Sequence, residues 1–248
     1  RELFIRLGGP TGPFLNKKRQ YVELVGKEYL TPNVMRLRYK LPGRQTLGLP
    51  VGGCIKVHHI NTFSGKEEGK WNGREDKEAE AEEIERKYTP VSSERDKGHF
   101  DLVIKTYRPK EHDMFPDGGK SSFAMESMRI GEVLQISGPI GHIKYLGNGE
   151  FTKIGKSFKT KNIAMIAGGS GITPCLSVIS DVMANPYDKT NISLIFANQT
   201  EEDIILYKEL EALTPRLKLH HTLTRSTRTH WKGSVGYITK EMIEKHLP

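Results

Sequence analysis

Asn162-Ile163-Ala164-Met165-Ile166-Ala167-Gly168-Gly169-Ser170-Gly171-Ile172-Thr173-Pro174 is the stretch on which the fold turns. An apolar run passes without a break into a cluster of glycines and then into a helical pattern. Such a run reads as a buried strand feeding a tight strand-to-helix turn. Glycine lets a ligand approach the backbone closely, and the helix start offers unpaired N–H groups to a phosphate. Pro174 suits the first helical position, where its missing N–H costs nothing. The loop lacks the Walker lysine, and Pro174 stands where the last glycine of the dinucleotide fingerprint would be. Phosphate binding is therefore one reading, and a ligand-free glycine turn is the other.

Working outward, a helix is expected over Pro174–Ala184, a strand over Ile192–Ala197, a helix over Glu202–Leu213 and a strand over Leu217–Leu223. Strands alternating with helices need crossover connections, hence a parallel sheet in an α/β domain. The first half has a different rhythm. From Arg19 to Ile60 apolar and charged residues alternate, as in Tyr21, Glu23, Val25 and again Met35, Leu37, Tyr39, with turns at Thr31-Pro32-Asn33 and Leu41-Pro42-Gly43. Further strands at Phe100–Arg108 and Val133–Gly138 flank a short helix at Ser121–Met128, which suggests a small closed antiparallel barrel. The aperiodic stretch Gly147–Lys161 reads as a linker, so the domains are expected at 1–150 and 151–248. Residues 66–85 carry nine acidic and four basic side chains. Such a composition predicts a solvated, partly helical excursion without a catalytic role.

The net charge of +8 is spread along the 248 residues without a polybasic tract, which argues against a nucleic-acid arm and fits the steering of an acidic partner. Cys54 and Cys175 have neither disulfide nor zinc spacing, and the pairs His58-His59 and His220-His221 face opposite ways in a strand, so no metal site is expected. No run approaches the ~18 apolar residues of a membrane span. A cytoplasmic protein is expected, with membrane contact only through segments outside this chain.

Two further clusters carry chemistry. Pro116-Asp117-Gly118-Gly119-Lys120-Ser121-Ser122 again places glycines before a helix and is a second candidate anion site. Its alternative is a plain capped helix start. In Arg86-Lys87-Tyr88-Thr89-Pro90 a guanidinium suited to a pyrophosphate shares a strand face with a ring suited to a flat heterocycle. An edge strand with a solvent-reaching arginine is the alternative.

These blocks, with Asp101–Tyr107, Gly138-Pro139-Ile140-Gly141 and Phe196-Ala197-Asn198-Gln199-Thr200, resemble in order and spacing the NADH–cytochrome b5 reductase family of ferredoxin-reductase-like flavoproteins, over roughly Arg19–Pro248. The resemblance implies a Greek-key FAD-binding barrel followed by a nicotinamide-binding α/β domain. Arg86, in a run with Lys87, would contact the FAD pyrophosphate, Tyr88 the flavin and ribityl region, and Thr89 the flavin N5 edge. Val103, Lys105 and Tyr107 would line the cofactor cleft, Lys105 stabilising negative charge there. Gly119, Lys120, Ser121 and Ser122 would bind FAD phosphate, and Thr173 would reach the flavin from the second domain. Gly168, Gly169, Ser170 and Gly171 would receive the nicotinamide dinucleotide. Thr89 and Lys105 are thus the expected catalytic residues.

The chain departs from the family pattern in three places. Lys120-Ser121-Ser122 replaces a lysine–methionine–serine. The family's C-terminal segment with a cysteine and a Gly-Pro-Pro-Pro run is not reached by Pro248, so the second domain is expected to be C-terminally incomplete. Thr224 stands where NADH-preferring relatives carry an aspartate facing the adenosine ribose, and Arg225 and Arg228 follow. Loss of that carboxylate removes the repulsion of a 2′-phosphate, so NADPH is expected to serve alongside NADH. The resemblance implies an FAD-dependent NAD(P)H reductase of cytochrome b5 or a similar acidic heme protein. Its alternatives are the flavin module of a larger enzyme, such as a nitrate reductase or fused cytochrome b5 reductase, and a non-catalytic dinucleotide-binding redox sensor.

Overall fold

The computed structural model describes residues 9–62, 69–214, 216–226 and 230–248. The chain divides into two compact units, Arg1–Leu49 with Cys54–Ile140, and Pro50–Gly53 with Gly141–Pro248. Arg228 and positions 66–68 of the charged segment lie outside the described residues.

The first unit contains β1 (Gln20–Thr31), β2 (Val34–Lys40), β3 (Cys54–Ile60), the short pair β4 (Lys70–Trp71) and β5 (Arg74–Glu75), β6 (Glu83–Tyr88), β7 (His99–Lys105), α1 (Lys120–Ser127) and β8 (Val133–Ile140). Six strands form one antiparallel sheet in the order β6-β3-β8-β1-β2-β7. Its outermost strands share no ladder. Instead, the Val91 N–H donates to the Asp101 carbonyl (2.9 Å) and the Asp101 N–H to Ser92 Oγ (3.0 Å), which draws the chain after β6 against β7. Alternation along the strands sends Leu24, Leu37, Tyr39, Val57, Leu102 and Ile136 into one core, each such side chain contributing about 1.5–3 kcal/mol by leaving water. The Tyr39 and Phe100 rings stack in it, with centroids 5.3 Å apart. The strand expected to run to Arg108 stops at Lys105, which pairs with Val34, the first residue of β2. Beyond that register there is no strand to bond to.

The second unit opens with β9 (Ile143–Gly147), β10 (Glu150–Lys153) and β11 (Lys156–Lys159), an antiparallel meander where a linker was expected. The domain boundary accordingly falls between Ile140 and Gly141, and position 150 is the first residue of β10. Tight turns build the meander: Asn148 and Gly149 have φ of 52° and 75°, Ile154 and Gly155 of 49° and 76°. Positive φ at both central residues matches the right-handed twist of a two-residue hairpin, and Asn-Gly is its strongest local signal. Tyr145 and Phe151, centroids 4.8 Å apart, give the meander an aromatic core. Tyr145 also donates to Asp188 Oδ2 at 2.5 Å, and that fully buried carboxylate accepts from the Asn148 N–H, the Thr190 N–H and the Thr190 hydroxyl as well. Burial alone would raise the Asp188 pKa, but the hydroxyls and N–H groups hold it below its ordinary value.

Then follow β12 (Asn162–Gly168), α2 (Ile172–Ala184), β13 (Asn191–Asn198), α3 (Tyr207–Glu211), β14 (Leu217–Leu223), β15 (Ser234–Val235) and α4 (Lys240–His246). The four strands pair in parallel in the order β12-β13-β14-β15. The helix expected over Glu202–Leu213 is broken. A 3-10 turn at Glu201–Asp203, closed by a Thr200–Asp203 capping box, precedes the short α3, and Leu206 between them has φ 56°. Ile204 and Ile205 are both buried, and the left-handed backbone of Leu206 after them interrupts the helical path. His220 and His221 do face opposite ways: His220 stacks on His246, and His221 packs among Phe196, Tyr207 and Trp231. No helix among the described residues is long and apolar enough to cross a membrane.

The Asp188 knot yields a stability test. Tyr145→Phe removes a donor from a carboxylate with no access to water and is expected to destabilise the protein by about 1.5–3 kcal/mol, measured by denaturant unfolding.

Candidate functional site

In the second unit, β12 delivers the glycine loop to the C-terminal edge of the parallel sheet, where open α/β sheets bind ligands. Gly168 is extended (φ −127°), Gly169 has φ +49°, and Gly171 is already helical (φ −64°). A methyl group added at Gly168, Gly169 or Gly171 would meet no atom within 4 Å, so the backbone face of the loop is open. The helix α2 begins at Ile172, two residues earlier than expected, which places Pro174 inside its first turn. No side chain caps this helix start; the Ile172 N–H donates back to the Gly169 and Ser170 carbonyls, Pro174 has none, and the positive end of the helix dipole faces the loop. Thr173 is buried and donates to the Ser170 carbonyl (3.3 Å), holding the turn. Cys175 is not activated there, since burial pushes its thiol pKa up.

At the same sheet edge, the Thr224 N–H and hydroxyl both donate to the Asn198 carbonyl (3.0 and 3.2 Å), and the Arg225 N–H donates to the Gln199 carbonyl (2.8 Å). Thr224 therefore stands where β14 ends beside β13, and Arg225 is exposed. Asn198 was not singled out from the sequence. Its side chain is buried, and neither its Oδ1 nor its Nδ2 has a hydrogen-bond partner. Its place in the Phe196–Thr200 block was the available signal.

In the first unit the group forms around the start of α1. Gly118 has φ +80°, and a Cβ there would lie 2.6 Å from the Tyr107 carbonyl oxygen. Only glycine passes this point. The Gly119 N–H then donates to that carbonyl (2.8 Å), which fixes the entry to the helix. The Tyr107 ring meets His112 and Phe115 edge-on. Lys120, Ser121 and Ser122 are all buried. The Tyr88 hydroxyl reaches over from β6 to Ser121 Oγ (3.1 Å), and the Ser122 hydroxyl donates to the Gly119 carbonyl (3.2 Å). At the far end of α1, Arg108 grips Glu126 through Nε and Nη2 (3.0 and 2.6 Å), which clamps the helix to the barrel. Thr89 and Val103 are buried, Lys105 is half-buried at the end of β7, and Lys87 is exposed on β6 opposite Lys56.

The charged segment overturns its expected role as a solvated excursion. From Gly69 onward it docks on the phosphate-loop candidate. Trp71 Nε1 and Asn72 Nδ2 donate to the Gly118 carbonyl (2.9 and 3.0 Å), and the Asn72 and Asp117 backbone N–H groups each donate to the other residue's side chain (2.5 and 2.7 Å). Asp76 Oδ2 accepts from Lys120 Nζ at 2.6 Å, and Glu78 accepts both Nη atoms of Arg86 at 2.5 and 2.7 Å. The Lys120 ammonium also lies 5.0 Å from the centre of the Trp71 ring. The Arg86 hydrogen bonds hold the Glu78 pKa below its ordinary value; burial raises that of Asp76, but its bond to Lys120 brings it down. Both carboxylates are therefore ionised. A guanidinium, a buried ammonium, two seryl hydroxyls and the α1 N-terminus form a donor set that fits a pyrophosphate, with a carboxylate now on each cation.

Two family models match the chain, Oxidoreductase FAD-binding domain over residues 75–145 and Oxidoreductase NAD-binding domain over residues 165–248. The chain is 39% identical over 236 residues to human NADH-cytochrome b5 reductase 2, covering 91% of this chain and 79% of that protein. It is 40% identical over 237 residues to the NADH nitrate reductase of Volvox carteri, covering 93% of this chain but only 25% of that protein. Among solved structures, the cytochrome b5 reductase domain of Ulva prolifera nitrate reductase superposes with a TM-score of 0.83 at 37% identity, over 95% of this chain and 84% of that one. The chain thus spans about a quarter of the length of the nitrate reductases it matches.

The two glycine loops are expected to respond differently to a methyl group. Gly168→Ala meets open space at an ordinary φ, so stability stays within about 0.5 kcal/mol, while nicotinamide dinucleotide affinity by calorimetry falls about tenfold, or ~1.4 kcal/mol. Gly118→Ala combines positive φ with a clash and is expected to lower stability by about 1–3 kcal/mol or more.

Proposed function

The chain belongs to the NADH-cytochrome b5 reductase family of FAD- and NAD-binding oxidoreductases, and from that membership we propose that it takes hydride from NADH or NADPH onto FAD and passes single electrons to a heme protein of the cytochrome b5 kind. The observation that carries the reading is a phosphate-shaped cradle in each unit, one at the start of α1 and one at the start of α2.

In the first unit, Arg86 and Lys120 would neutralise the FAD pyrophosphate, and the hydroxyls of Ser121 and Ser122 and the backbone at Gly119 would fix its position. Tyr88, anchored through Ser121, would orient the ribityl side of the ring system, and Thr89 and Lys105 would supply the polar groups near its reactive edge. In the second unit, the Gly168–Gly171 backbone and the dipole of α2 would hold the nicotinamide dinucleotide phosphates. When bound, FAD supplies the step from a two-electron donor to a one-electron acceptor. The work left to these residues is binding, orientation and charge. Anaerobic NADH is expected to bleach the flavin absorbance of the FAD-loaded chain; an oxidised spectrum that persists would overturn the reading.

A second reading, the reductase portion of a larger enzyme, is favoured by the 40% identity to a quarter of an NADH nitrate reductase. It alters the acceptor and leaves the flavin chemistry the same.

We further propose that the chain accepts both nicotinamide cofactors, because Thr224, held by Asn198, brings no carboxylate to the end of β14 while Arg225 is exposed beside it. Thr224→Asp is expected to raise the NADH-over-NADPH preference in kcat/KM by about tenfold, equal to ~1.4 kcal/mol. The net charge of +8 also gives a salt test: raising ionic strength is expected to slow reduction of an acidic cytochrome b5 and leave reduction of an uncharged dye unchanged.

A further inference from the structure

The hairpin β4–β5 and the residues after it do more than cover the start of α1. Lys120 is the most sheltered cation described in the first unit, its side chain 2% exposed, and Asp76 at 2.6 Å faces it with Glu78 at 3.8 Å. Glu78 also holds Arg86 through both oxygens. These are the two cations that the proposed function gives to the FAD pyrophosphate. Each phosphate of a pyrophosphate diester carries one negative charge, as each carboxylate does, so the hairpin matches the cofactor charge for charge.

We propose, on the basis of that flavin reading, that residues 69–78 form a built-in competitor for the FAD phosphate site, with Asp76 and Glu78 holding Lys120 and Arg86 until the cofactor displaces them. Two observations favour a replaceable occupant over a permanent strut. First, the hairpin is seated by polar contacts: Trp71 and Asn72 bond to the Gly118 carbonyl and Asp117 around the loop, and Asn61 Nδ2 holds the Glu78 and Ala81 carbonyls (both 2.8 Å). Apart from Trp71, few of its residues offer apolar area to bury. Second, at the buried Lys120 the cost of withdrawing ions from water offsets most of their attraction, and at the exposed Arg86 an ion pair contributes little, so one anion exchanges for another at little net cost provided Lys120 is never left bare. The device keeps Lys120 and Arg86 in place, paired and ordered, before the flavin arrives. In exchange it lowers the apparent FAD affinity by the population of the closed form.

The test is an FAD titration of the full chain and of Asp76→Asn/Glu78→Gln, followed by flavin fluorescence and calorimetry. FAD affinity is expected to rise at least about tenfold in the variant, a ~1.4 kcal/mol relief of competition. Equal affinities overturn the proposal, and so does weaker binding, which would mean that the carboxylates help to hold the cofactor. No flavin binding by either chain overturns the flavin reading itself, a distinct result. The variant leaves Lys120 without a counter-charge and could fold poorly, so the unaltered chain supplies a second measurement. Trp71 leaves its hydrogen bond to Gly118 when the hairpin is displaced, and FAD is expected to change the tryptophan emission by an amount that Trp71→Phe abolishes. An emission unaltered by saturating FAD would show that the hairpin stays seated and would reject the competition.

Discussion

An ammonium group taken out of water must face a negative charge, and around Lys120 this requirement organises the first unit. The lysine opens α1, with Gly118 and Gly119 leading into the helix and Arg108 clamping its far end to the barrel through Glu126. Its charge is met by Asp76, which arrives on a segment more than forty residues earlier in the chain. The hydroxyl of Tyr88 and the guanidinium of Arg86 come from β6, the strand that this same segment leads into. A strand, a helix start and an acidic hairpin thus converge on one electrostatic problem, the neutralisation of two cations on a scaffold of antiparallel strands.

The second unit meets a similar requirement by other means. Nothing in its glycine loop is ionised. What the loop offers instead is the positive end of the α2 dipole and open space over Gly168, Gly169 and Gly171. The parallel sheet makes this possible, because its crossovers bring strand ends and helix starts to one edge. The Asn198 carboxamide lies buried without a hydrogen-bond partner at that edge. The two solutions fall one in the FAD-binding and one in the NAD-binding domain match.

Where expectation and structure part, long-range packing is the reason. Gly147–Lys161 looked like a linker because its glycines and lysines show no periodicity over four-residue strands, yet positive φ at Asn148-Gly149 and Ile154-Gly155 folds it into a meander sealed by Tyr145 and Asp188. The helix over Glu202–Leu213 satisfied local propensity, but the chain takes a capped 3-10 turn at Glu201–Asp203 and a left-handed step at Leu206, with Ile204 and Ile205 buried between them. Residues 69–85 had the composition of a solvated coil, and composition carries no information about a lysine and an arginine elsewhere that need partners.

The sequence by itself determined the two-part architecture, the strand–loop–helix at Asn162–Ala184 and the strand Leu217–Leu223. These rest on local signals: two-residue and helical periodicity, glycine at turns, and donors next to helix starts. Only the tertiary structure decided that Asp76 and Glu78 stand on Lys120 and Arg86, that Asn198 is buried unpaired, and that Pro50–Gly53 joins Gly141–Pro248 in the second unit. Each of these depends on which distant groups the fold brings together, and charge or polarity acquires its meaning there from the partner rather than from its neighbours in the chain.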